Sequence, residues 1–143
     1  MKKSFLSESQ MSSLVEAICE AENHTSGEIR VHIDATTPED NAAVAFAAFK
    51  KLGMQNTKER NGVLFHVNFE QKYLTIIGDE GIHKKVKQQF WDNLHDEITS
   101  DFAKGRFYEA LKEAILKTGQ ELKNYFPIQG GNPNELSNEI TFS

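Results

Sequence analysis

The chain has a single cysteine, Cys19, so no intrachain disulfide can form and the fold must be held by its core. That cysteine usage points to a reducing, cytoplasmic compartment as the expected location. No apolar run approaches the length of a membrane span, so no membrane role is expected. The opening Met1-Lys2-Lys3-Ser4-Phe5-Leu6-Ser7 has a basic start but only two apolar side chains before polar residues resume, too few for a secretion signal. Basic residues are also scarce: 16 Lys+Arg stand against 21 Asp+Glu, a net charge of −5. With no basic stripe, nucleic acid is excluded as an expected partner.

Several catalytic signatures are missing as well. Cys19 is not followed by a phosphate-cradling loop ending in Arg, which argues against a cysteine phosphatase. There is no Asp-x-Asp pair closing a strand, no Arg-His-Gly, no Gly-x-Ser-x-Gly and no glycine-rich P-loop. Any phosphate ester hydrolysis would therefore need a metal-activated water.

What is present is a regular alternation of elements. Hydrophobic residues make up 38% of 143 positions, enough for one core. Residues 1–127 read as a single domain, expected to be monomeric, and 128–143 as a loose tail rich in Gly, Pro, Asn and Ser. Ser7 and Gln10 form a capping box with Leu6 stapled to Met11, starting a helix over about 8–23. Residues 28–35 alternate as a strand, with Glu28, Arg30, His32 and Asp34 on one face and Ile29, Val31 and Ile33 on the other.

Thr37 as cap and Pro38 at the first position start a second helix. Its stretch Ala42 to Phe49 is apolar almost all round, which predicts burial on most sides, and Gly53 ends it. Gly62–Asn68 and Tyr73–Asp79 are strands two and three. The four-residue link between them is too short for a parallel crossover, so they form a hairpin, whereas the helix between strands one and two makes that pair parallel. Ile82, Val86, Phe90, Leu94, Ile98 and Phe102 read as a third helix. A break at Lys104-Gly105 precedes a last helix that ends before Pro127, and Glu139-Ile140-Thr141-Phe142 has the pattern of a short edge strand. The fold class is α/β: a small mixed sheet between helices.

This topology brings the starts of strands one and two to the end of strand three. That edge gathers Ser26, Glu28, Arg60, Asn61, Asp79 and Glu80. Asp79 and Glu80 follow a strand and open a helix, where their carboxylates suit a hard divalent cation such as calcium or magnesium, with Glu28 and Asp101, in a loop-like stretch before Phe102, completing the shell. The alternative reading is that Asp79 caps the helix. His83, four residues on from Asp79, is a weaker ligand candidate. A second edge holds Asp34, Thr37, Glu39 and Asp40 beyond the end of strand one, at a helix start. Finally, His32 and His66 lie inside adjacent strands; on one face, with Arg30 nearby, they could act as acid and base or as metal ligands, against a plainer role as hydrogen-bonded half-buried residues.

Ala21-Glu22, Thr25-Ser26-Gly27-Glu28-Ile29, Arg60-Asn61-Gly62-Val63-Leu64, Gly78-Asp79-Glu80-Gly81-Ile82 with Trp91 downstream, and Asn134-Glu135-Leu136 form a spaced set over most of residues 7–140. The set resembles the TPM domain family, whose members include a thylakoid-lumen protein assigned acid phosphatase activity and bacterial proteins of unassigned role. The resemblance implies an α/β sandwich, a divalent-cation site and phosphatase chemistry. Many such relatives carry a secretion signal or membrane segment, a pattern this sequence does not repeat. The leading expectation is thus a divalent-cation-binding regulatory module with an unknown protein partner. The alternatives are a weak metal-dependent phosphomonoesterase, with Asp79 and Glu80 on the ion and Arg60 on the phosphate, and a structural partner-binding domain without metal.

Overall fold

The computed structural model describes residues 6–34, 40–128 and 140–142. Helix α1 (Glu8–Ala21) starts as its capping box dictates: Ser7 Oγ accepts from the Gln10 amide at 3.0 Å and Gln10 Oε1 accepts from the Ser7 amide at 3.0 Å. It stops short of residue 23. Glu22 turns inward and its Oε2 accepts the amide of Ile29, the second residue of strand β1 (Glu28–Asp34), at 2.7 Å.

Helix α2 (Asn41–Lys51) begins later than the Thr-Pro signal suggests. Its cap is Asp40, whose Oδ1 accepts the amides of Ala42 and Ala43. Thr37, Pro38 and Glu39 lie outside the described residues. Burial on most sides also proves wrong: only Ala45 and Phe49 are buried, and Phe46 is 51% exposed. The apolar content there is mostly alanine, which favours helix without demanding burial, and α2 needs only one side to cover the sheet. Gly53, with φ +72°, ends the helix in the left-handed conformation expected of a terminal glycine. In the loop that follows, a 3₁₀ turn at Met54–Asn56 drops Met54 into a small cluster with Phe49 and Leu64.

Strands β2 (Gly62–Asn68) and β3 (Tyr73–Gly78) form the expected hairpin. The long helix expected after Asp79 is broken in two, α3 (Glu80–Lys85) and α4 (Gln88–Ala103). Between them Val86 is extended (φ −94°, ψ 130°) and its side chain enters the core. The four-residue apolar spacing thus reports burial on both sides of a break that it cannot show. Helix α5 (Phe107–Tyr125) and strand β4 (Thr141–Phe142) complete the order.

The sheet runs β3-β2-β1-β4, with β1 parallel to both neighbours and β3 antiparallel to β2. Ile29, Val31 and Ile33 join Val63, Phe65 and Val67 in one core with Leu14 and Ile18 of α1, Leu94 and Ile98 of α4, and Leu111, Ile115 and Leu122 of α5. Helix α2 covers the opposite face. No helix of the described residues is long and apolar enough to cross a membrane.

Two expectations come from this packing. A Cβ at Gly81 would stand 2.6 Å from the Arg60 carbonyl oxygen and closer still to that of Glu59. These are backbone atoms that cannot swing away, so Gly81→Ala should lower unfolding free energy by about 2–4 kcal/mol in denaturant titration.

Glu22 is buried beside Glu28, and desolvation, opposed by the Ile29 amide, pushes its carboxyl up from 4.5 to about 8. Between those two values the folded chain keeps a proton that the unfolded chain releases. Stability should therefore fall as pH rises through that window, with a slope approaching about 1.4 kcal/mol per pH unit. Glu22→Gln, which keeps an acceptor for Ile29, should flatten the profile in pH-dependent denaturation. An unchanged slope would place the proton elsewhere.

Candidate metal centre

The first edge forms as the topology requires, since Glu28 stands opposite Gly62 and the Asp79 amide donates to the Gly62 carbonyl. Its acids are engaged within the protein. Arg60 grips Asp79 with two bonds, Nε to Oδ2 at 2.7 Å and Nη2 to Oδ1 at 2.9 Å, and reaches Glu80 at 3.5 Å. Asp79 Oδ1 also accepts the Glu80 amide at 2.8 Å, so the capping role is real. Arg60 adopts φ +52°, a left-handed backbone uncommon for a side-chain-bearing residue, and its carbonyl accepts the Gly81 amide. Asn61 Nδ2 donates to Ser26 Oγ, which donates to Glu59 Oε2.

Glu28 is buried in the first position of β1, next to Glu22. Asp101 lies inside α4, not in a loop. It pairs with Arg106 at 3.5 Å and its carbonyl accepts the Arg106 amide across the α4–α5 turn. His83 lies in α3, its amide donating to the Asp79 carbonyl.

The polar row of β1 is not a solvated face. Glu28, His32 and Asp34 are buried and Arg30 is partly so. Pairing of β1 with β2 runs residue against residue and sets His32 directly opposite His66. The two rings stack with centroids 5.6 Å apart and planes at 26°. Asp34, two residues beyond His32, turns to the same face. Its Oδ2 lies 2.7 Å from His66 Nε2 and 4.0 Å from His32 Nε2. Among the described residues these three side chains are the one group of three His, Cys, Asp or Glu donors whose ligand atoms all lie within 4.8 Å of one another.

The surroundings fit a cation. Burial, ahead of the opposing pull of Asp34, holds His32 below its usual range, so its lone pair is available at neutral pH. Thr141 Oγ1 of β4 lies 2.6 Å from His32 Nδ1, fixing the ring so that Nε2 faces Asp34. His66 is fully buried and its Nδ1 has no hydrogen-bond partner among the described residues. A buried imidazole kept at that cost, with its other nitrogen aimed at a carboxylate, suits ligation better than packing. Beside the group, a cavity of about 650 Å³ is walled by Val44, Ala47, Ala48, Lys51 and Leu52 of α2 and by Phe142.

By sequence, His32 and His66 pair as strand-interior residues and Asp34 falls with Thr37, Glu39 and Asp40 at the rival edge, although strict alternation also puts Asp34 on the His32 face. Thr141 and Lys51 carried no signal, since both reach the site only through tertiary packing.

No curated protein matches the chain. Among solved structures, the NMR structure of the BA42 protein from the psychrophilic bacterium Bizionia argentinensis is similar at 39% identity and a TM-score of 0.93, covering 100% of this chain and 99% of that one. The N-terminal domain of a P. gingivalis protein shares the fold at 18% identity and a TM-score of 0.72, over 85% of this chain and 79% of that one. A family model described as the TPM domain matches residues 2–121. Together with the mixed sheet and its flanking helices, that match places the chain in the TPM domain family.

Proposed function

We propose that this TPM domain is a divalent-cation-binding module whose ion is held by His32 Nε2, His66 Nε2 and an Asp34 carboxylate oxygen. The observation that carries the reading is the position of Asp34 Oδ2, which faces the Nε2 atoms of both histidines from two residues along the same strand. Two imidazoles and one carboxylate select a borderline metal such as Zn²⁺ over calcium or magnesium, which take all-oxygen shells. Three protein ligands leave a coordination position for water or a ligand.

The phosphomonoesterase reading takes second place. It assigned the phosphate to Arg60, and that guanidinium spends two of its donors on Asp79.

Titration of the protein with Zn²⁺ should shift the ring resonances of His32 and His66 and the neighbouring β1 and β2 amides, and should raise thermal stability. Saturation a hundredfold above the dissociation constant corresponds to about 2.7 kcal/mol. His32→Gln should abolish the shifts while leaving the fold intact by its amide spectrum. Thr141→Val, which removes only the oxygen that orients His32, should weaken binding about tenfold. Zinc affinity unchanged by His32→Gln and by Asp34→Asn would overturn the proposal.

A further inference from the structure

We infer that the metal centre serves as the anchor for a small monocarboxylate with an apolar tail, seated between α2 and the β1–β4 edge of the sheet. This rests on the metal reading above and goes beyond it by naming the ligand class. Three protein donors leave room on a Zn²⁺-class ion, and His32, Asp34 and Thr141 belong to the centre and to the lining of the adjoining cavity alike. Whatever occupies that cavity is therefore next to the ion.

Charge decides the head group. A divalent ion balanced by Asp34 alone carries a residual single positive charge, because an imidazole that ligates a metal does so in its neutral form. One carboxylate cancels that charge. A dianion would bring a second negative charge among Val44, Ala47, Ala48 and Leu52, where its desolvation is costly. Lys51, the one cation among the described lining residues, is exposed, so it can draw an anion inward while staying in water.

The walls decide the tail. Apart from Lys51, Thr141 and the ligating His32 and Asp34, the described lining is aliphatic or aromatic, with Phe142 at the end of β4. The volume of about 650 Å³ lies in the range of small-molecule sites. A short straight-chain carboxylate satisfies head and walls together.

The experiment uses the full chain, Zn²⁺ and hexanoate, with binding followed by calorimetry and by methyl shifts of Val44, Ala47, Ala48 and Leu52. Zinc is titrated first, and failure at that step removes the metal reading and this inference with it. If zinc binds, hexanoate should bind the loaded protein at least about tenfold more tightly than the metal-free protein, with hexanol at least about tenfold weaker. Ala47→Trp, on an exposed helix position that lines the cavity, should abolish hexanoate binding and leave zinc affinity unchanged. Zinc binding without hexanoate binding would overturn this inference alone. So would equal hexanoate affinity with and without zinc, or displacement of hexanoate by inorganic phosphate at lower concentration.

Discussion

The parallel pairing of β1 with β2, residue against residue from Glu28 opposite Gly62 to Asp34 opposite Asn68, is the constraint on which the rest of the molecule depends. A one-residue slip would turn Ile29, Val31 and Ile33 out of the core and bring the acids in. The apolar demand of the face toward α1, α4 and α5 therefore fixes the register. Once it is fixed, the opposite face has no freedom: His32 meets His66, and Asp34 lies one pleat further along. The polar centre follows from the geometry of the apolar core on the other side of the same strands.

The two ends of β1 then have different fates. At its start, polar groups are matched internally, the Arg60 guanidinium to the Asp79 carboxylate and the Glu22 carboxyl to the Ile29 amide. That edge behaves as a clasp. It ties the hairpin end to the loop before β2 and leaves Gly81 pressed on the Arg60 backbone. Toward the other end, the histidines and Asp34 are buried side by side, and a cavity opens beside them. The first end is closed by internal pairing, and the second carries the grouped donors. A left-handed Arg60 belongs to the clasp, where its ion pair and its bond to Gly81 determine the conformation.

Much of the fold was legible. Ser7 and Gln10 announced α1, the four-residue link from Asn68 to Tyr73 required a hairpin, and the helix between β1 and β2 required a parallel pair. The misreadings share a cause. Apolar spacing cannot show that Val86 is extended, because a buried residue is buried whether helix or bend presents it. Nor can an alanine-rich stretch reveal that Phe46 faces water. The acidic sequence vicinity of Asp34 hides its contacts with His66 and His32, because those are set by a strand partner far along the chain.

By itself, the sequence determined most of the element order, the mixed sheet and which face of β1 is apolar, because those follow from local periodicity, caps and connection length. Only the tertiary structure decided which polar residues act together. Their meeting depends on strand register, on the return of β4 to bring Thr141 to His32, and on α2 lying across the histidine face to place Lys51 beside it. Each is a relation between segments distant in the chain, and local patterning holds no record of it.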